Sequence, residues 1–319
     1  MIIVSASRRT DIPAFYTRWL LGRLKTGVVA TLNPFNPRQV KWVELKPEGV
    51  GAIVFWSKNP RPLMAHLPRL EEAGWRFYFH FTLNPYPQLF EPFLPPLAER
   101  ISTFQELARM LGSARVIWRY DPIIISSLTP SEFHFKYFTM ISEELEGYTQ
   151  RVIVSPLSFY RKTVRRMGKL PGLVLREEDH RGAVFEELLA WMARRARAAG
   201  MEIFSCATAQ DYSHLGVSPG RCIDPELIHR LWGVRVEETK HRGQRPACRC
   251  APSVDIGATD SCLHGCRYCY STTSHAAARA GHARHRPWFT ALLKDEPLAG
   301  LTGKWAGSIS VGNAGVAQR

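Results

Sequence analysis

At 319 residues, 45% of them apolar, the chain can bury a large core, and its length fits one large α/β domain or two ordinary ones. Its formal net charge of +14 favours a nucleic acid or another phosphate-bearing partner, because clustered Lys and Arg attract phosphates. Uninterrupted apolar runs stay below the ~18 residues of a membrane helix, and Arg8, Arg9 and Asp11 cut short the apolar start, so no membrane partner, no signal peptide and a cytoplasmic location are expected.

Short β-branched or aromatic runs fall at 2–5, 28–32, 52–56, 77–82, 116–119, 152–155 and 202–205, separated by segments with helical spacing. The first helix is expected after Asp11, a good N-cap, with Pro13 in its first turn and Gly27 as its stop. Further helices are expected at 60–73, ending at Gly74, at 96–111, at 130–145, and at 181–199, closed by Gly200. An eighth short run covers 253–256. Successive strand–helix units imply parallel pairing through right-handed crossovers. Eight of them predict an α/β fold of the (β/α) TIM-like barrel type, with its site on the loops after the strand C-termini. A doubly wound open sheet is the alternative. The expected organisation is a single barrel over 1–285, with a cysteine loop at 248–270, and a C-terminal extension over 286–319.

Polar or Pro-containing steps follow the strands at 7–11, 33–34, 57–60, 84–85, 119–122, 155–156 and 205–206. In a parallel barrel these loops converge on one mouth, and X-Pro steps stiffen them. Taken singly, each also reads as an ordinary turn before a helix. Arg8, Arg9 and Asp11, then Lys58, then Arg119 with Asp121 are the candidate catalytic residues of this rim. An arginine there can grip an anion bidentately, while Asp11 can equally cap the next helix and the arginines can be solvated. His80, inside an aromatic strand, is expected to be an interior histidine, and His264 to turn with Gly265. The basic stretch Arg161, Lys162, Arg165, Arg166, Lys169 reads as a solvated face, with a nucleic-acid track as the other option.

The seven cysteines are odd in number and crowded into the C-terminal third, which favours metal over disulfides. Cys262, Cys266 and Cys269 form C-x3-C-x2-C, with Tyr268 before the last. Three thiolates on a tight loop can ligate three irons of a cubane and leave the fourth without a protein ligand. Zinc ribbons usually present two C-x2-C knuckles, and this chain has one, which makes zinc the second reading. Cys206, Cys222, Cys248 and Cys250 remain, the number a second closed site needs, either [4Fe–4S] or tetrahedral zinc. Cys206 and Cys222 also suit small buried positions, whereas Cys248 and Cys250 lie among Arg245, Pro246 and Arg249.

The loop at 254–270 resembles that of the radical SAM superfamily. The resemblance implies a [4Fe–4S] cluster on Cys262, Cys266 and Cys269, S-adenosylmethionine on its open iron, Tyr268 against the adenine, and flavodoxin or ferredoxin as electron donor. That family usually carries the loop after its first barrel strand. Its place here, after seven strand–helix units, implies a circular permutation in which 253–256 is the first barrel strand and residues 1–5 follow it in space. No Gly-Gly-Glu motif is present, and residues 5–10 would take its place. The phrases Phe55-Trp56-Ser57-Lys58-Asn59-Pro60 and Ser7-Arg8-Arg9-Thr10-Asp11 resemble the bacterial family DUF1848 over roughly 1–285. The leading expectation is therefore a radical SAM-type enzyme, with a nucleic acid or nucleotide as the substrate favoured by charge. A zinc-stabilised nucleic-acid-binding protein, and a metal-free hydrolase using Asp121, Arg119 or Lys58, are the competing expectations.

Overall fold

The computed structural model describes residues 1–34 and 36–297. Its strands are β1 (Ile2–Ala6), β2 (Val28–Asn33), β3 (Asn36–Glu44), β4 (Val50–Ser57), β5 (Phe77–Thr82), β6 (Val116–Ile123), β7 (Arg151–Pro156), β8 (Glu202–Ser205), β9 (Ser218–Pro219) and β10 (Val254–Asp255). Eight of these form one sheet in the order β10-β1-β4-β5-β6-β7-β8-β9, each neighbouring pair parallel. The helices are α1 (Ile12–Phe15), α2 (Thr17–Thr26), α3 (Arg61–Met64), α4 (Leu67–Glu72), α5 (Leu97–Leu111), α6 (Ser131–Glu144), α7 (Arg161–Met167), α8 (Ala183–Ala198), α9 (Pro225–Trp232) and α10 (His275–Arg284).

Side chains alternate across a strand, so each strand feeds two cores. Phe55, Phe79, Trp118 and Val154 pack with Trp19, Phe104, Phe138 and Leu188 of the helices. Ile3, Val54, Tyr78, Ile117 and Ile153 point the other way, onto Leu227 and Ile228 of α9 and onto Cys222, Cys248 and Cys250. Burial on both sides explains why the strands read as continuous apolar runs.

The expected place of one strand needs correction. The run at 28–32 is no part of the large sheet. It forms an antiparallel hairpin with β3, pairing Val28 with Glu44 and Leu32 with Val40. The connection from Asn33 to Asn36 is too short for a crossover, and only antiparallel strands can be joined so tightly. The 33–34 step therefore does not belong to the rim. Its place in the strand count is taken by β9, two residues long.

A closed barrel is not found among the described residues. The edge strands β9 and β10, two residues each, do not pair with each other. Even so, the sheet curls, because Ser7 after β1 and Cys206 after β8 border one cavity. At the other edge β10 lies beside β1, with Val254 opposite Val4 and Asp255 opposite Ser5. The strand leading into the cysteine loop is thus the spatial neighbour of the first strand.

The helix expected from Asp11 to Gly27 is broken at Tyr16, whose hydroxyl donates to the Ser261 carbonyl at 2.6 Å. Beyond α10 the chain stays on the body: Trp19 Nε1 donates to Phe289 O at 2.8 Å, and Ala30 N to Thr290 O at 3.0 Å. Of the extension expected at 286–319, residues 298–319 lie outside the described residues. Among the described residues no helix is long and apolar enough to cross a membrane.

His134 yields a stability test. It is fully buried, with Nδ1 2.8 Å from the Tyr120 hydroxyl and Nε2 2.9 Å from Ile124 O, and burial pushes its pKa from 6.5 down to about 4. The unfolded chain binds a proton there below pH 6.5 that the folded chain refuses until about pH 4. Stability is therefore whole above pH 6.5 and falls as pH drops through that window, by ~3 kcal/mol for this group. Burial also lowers His80 and His180, which add to the same slope. His134→Gln should flatten the fall of the urea midpoint across this range. An unchanged slope would contradict the assignment.

Candidate functional site

Parallel strands place all their C-termini at one edge, and the loops beyond that edge meet around a cavity of about 350 Å³. Loops after β1, β4, β7 and β8 contribute, as do the end of β6 itself and the stretch after β10. All seven cysteines border it, and so do Arg8, Arg9, Asp11, Lys58, Arg119, Asp121 and Tyr268.

Asp11 ties three of these loops together. Its Oδ1 accepts from Ala14 N at 3.0 Å, capping α1, and from Ser57 Oγ at 2.8 Å. Its Oδ2 accepts from Lys58 N at 2.7 Å and from His264 Nε2 at 2.7 Å. Four donors satisfy a buried carboxylate that would otherwise be costly to keep out of water. His264, expected only to turn the chain, is thus a buried anchor of the cysteine loop.

Asp255 performs the same task at the β1–β10 seam. Its Oδ1 accepts from Ser7 Oγ at 2.6 Å and Gly257 N at 3.0 Å, and its Oδ2 from Ser5 Oγ and Arg8 N, both at 2.9 Å. The seam is tight enough that a Cβ at Gly257 would collide with Ser7. Gly265 has φ +69°, and a Cβ there would stand 2.6 Å from the Phe93 ring, so the loop needs glycine on both counts.

The three loop thiols sit among these anchors. Burial pushes the Cys262 pKa up to about 12, with Asp11 and Cys269 adding to the effect. Burial also raises Cys266, against which the nearby Lys58 ammonium works. Lys58 Nζ lies 2.8 Å from Glu91 Oε1 and 3.0 Å from the Tyr268 hydroxyl, which itself donates to Glu91. Arg100 stands 3.6 Å from the other Glu91 oxygen. The Tyr268 ring meets Tyr86 at 5.8 Å and borders the cavity.

Beyond the loop, Arg166 of α7 donates to the carbonyls of Arg267, Cys269, Thr272 and Thr273. The basic stretch is therefore no uniformly solvated face, because this arginine clamps the loop. Neither Arg166 nor Glu91 stands out in the sequence as a site residue. Glu91 lies among prolines, and Arg166 is one cation among five in its stretch.

On the far side of the sheet order, Arg119 donates from Nη1 to Cys222 Sγ at 2.9 Å and from Nη2 to Asp121, which also accepts from Ser155 Oγ. Arg8 donates to Ser253 Oγ at 2.7 Å with its guanidinium 5.5 Å from the Trp56 ring centre, and its buried Nε has no hydrogen-bond partner among the described residues. Arg9 reaches Gly257 O at 3.4 Å. His80 is fully buried and neutral, 2.7 Å from Cys222 O and stacked on Trp56. Among the described residues no three His, Cys, Asp or Glu side chains already surround a single point as an ion's shell would need. A cubane presents separate irons to its ligands, so thiols that hold one need not share a point.

Fold and site together define an α/β protein whose parallel sheet carries a cysteine-lined cavity beyond the ends of its strands. The chain belongs to the family described as a domain of unknown function, DUF1848, whose model matches residues 3–271 and so takes in all seven cysteines. Among curated proteins none matches it.

Asp11→Ala would strip the cap from α1 and leave Ser57, His264 and the Lys58 amide without their acceptor. The expected cost is about 3 kcal/mol, read as a lowered urea midpoint, together with faster alkylation of Cys262. Asp11→Asn, which keeps an acceptor oxygen, should cost less. Equal stability of Asp11→Ala and the parent would refute the anchoring role.

Proposed function

We propose that this chain is a radical SAM-type enzyme, built on a parallel sheet whose strand order is permuted relative to the usual barrel of that superfamily. One observation carries the reading: three thiols at C-x3-C-x2-C spacing stand on the cavity wall, directly after the strand that neighbours β1. Cys262, Cys266 and Cys269 would hold a [4Fe–4S] cluster and leave one iron for S-adenosylmethionine. Thiolates are the ligands such clusters prefer, and the donor set here matches. Bound there, the cluster would supply one electron to split the sulfonium into methionine and a 5′-deoxyadenosyl radical that takes a hydrogen atom from the substrate.

The chain's own residues would do the rest. Asp11 and His264 hold the loop against the sheet. Lys58, locked on Glu91, keeps a positive charge beside Cys266 and fixes the Tyr268 ring, whose cavity side offers a surface for adenine. Arg8 brings a buried N–H without a partner to the same rim, suited to a carboxylate or phosphate. Arg119 and Asp121 orient each other farther along the cavity. The net charge of +14 supports a nucleotide or nucleic-acid substrate, and a flavodoxin or ferredoxin of the cytoplasm as the reductant.

The test is anaerobic reconstitution with iron and sulfide, followed by reduction in the presence of S-adenosylmethionine. Formation of 5′-deoxyadenosine is expected, and Cys266→Ala should bring it to background while the far-UV circular dichroism stays unchanged. A protein that takes up no iron at this loop would defeat the proposal. A colourless protein with zinc on the loop and steeply salt-dependent nucleic-acid binding would instead favour the zinc-stabilised reading.

A further inference from the structure

Four thiols remain outside the loop, and the fold brings them together. Cys206 follows β8, Cys222 follows β9, and Cys248 and Cys250 precede β10, yet all four border the same cavity wall. Cys206 Sγ lies 3.2 Å from Cys222 Sγ, and Cys222, Cys248 and Cys250 share one buried cluster against which Cys206 packs. All are free thiols, and Cys222, Cys248 and Cys250 are buried.

N–H donors reach two of the sulfurs, Cys222 and Cys250. Arg119 Nη1 donates to Cys222 Sγ at 2.9 Å, Ile223 N points at Cys250 Sγ at 3.5 Å, and Arg245 borders the same cavity as Cys206. A core built only to exclude water has no use for a guanidinium aimed at a sulfur. Four thiolates around a divalent ion make a doubly negative centre, and Arg245 together with Arg119, which it would share with Asp121, puts positive charge on the same cavity wall.

We propose that Cys206, Cys222, Cys248 and Cys250 draw in around a single zinc ion as a tetrathiolate shell, a point they do not yet share, separate from the C-terminal loop and independent of what that loop binds. The all-sulfur donor set selects zinc or iron over oxygen-seeking cations. Spacing chooses between a lone ion and a cluster. Zinc–sulfur bonds of about 2.3 Å put neighbouring sulfurs about 3.8 Å apart, so Cys206 and Cys222, at 3.2 Å, need part by only about half an ångström. A cubane would force the same sulfurs apart by much more, inside a packed core. The ion would pin the segment that covers the inner face of the sheet, where Ala251 N donates to Ile223 O at 3.1 Å and Tyr78 donates to Cys222 O at 2.7 Å.

The test is elemental analysis of the full chain purified without air. About one zinc per chain is expected, retained in Cys262→Ala/Cys266→Ala/Cys269→Ala and lost from Cys248→Ser/Cys250→Ser, whose thermal midpoint should fall. Should the serine variant fail to fold, cobalt exchange into the triple-alanine variant gives a second readout. Intense thiolate-to-cobalt absorption with a four-sulfur pattern supports the site, and its absence overturns it. Iron and sulfide retained by the triple-alanine variant would overturn it too, by showing a second cluster, as would a wild-type chain free of zinc. Zinc without iron leaves this site standing and removes the radical reading. Iron at the loop without zinc does the reverse.

Discussion

The site depends on one buried carboxylate. Asp11 accepts four hydrogen bonds, from α1, from the end of β4, from the amide of Lys58 and from His264. A carboxylate taken out of water must use its lone pairs, and the donors that fill them here come from three separate segments. Satisfying the carboxylate therefore sets the position of the cysteine loop relative to the sheet. Asp255 imposes a similar condition at the β1–β10 seam. Between them, these two side chains make a rigid wall from segments far apart in the chain.

The same economy governs the cations of the cavity. Lys58 is matched by Glu91, and Arg119 by Asp121 and Cys222. A basic chain does not thereby become a cavity of free positive charge. Its interior cations hold other groups in place, and preorganisation of this kind lets a site act without first rearranging. Arg166 extends the pattern, since one guanidinium serves four carbonyls of the cysteine loop and its exit.

Topology supplies the frame. Placing β10 against β1 lets a loop near the C-terminus sit where a loop after the first strand of a parallel sheet would sit. Among the described residues the two-residue edge strands β9 and β10 do not pair, and α9 with the Cys248–Cys250 segment covers the inner face of the sheet. The second group of thiols is a consequence of that covering, because the segment that closes the core also carries the sulfur.

Strands at 52–56, 77–82, 116–119, 152–155 and 202–205, the capping role of Asp11 and the C-x3-C-x2-C spacing were all legible in the sequence, since each is a property of neighbouring residues. Membership of DUF1848 was legible too, in two short phrases around Arg8 and Lys58. Only the tertiary structure could decide that the run at 28–32 folds back as a hairpin, that β10 lies beside β1, and that Asp11, His264, Glu91 and Arg166 lock the loop. The alternation of side chains says which residues form a strand, not which edge they pair with. Partners as remote as Asp11 and His264 are chosen by chain closure and by the cost of leaving a buried charge unsatisfied, and neither leaves a local trace.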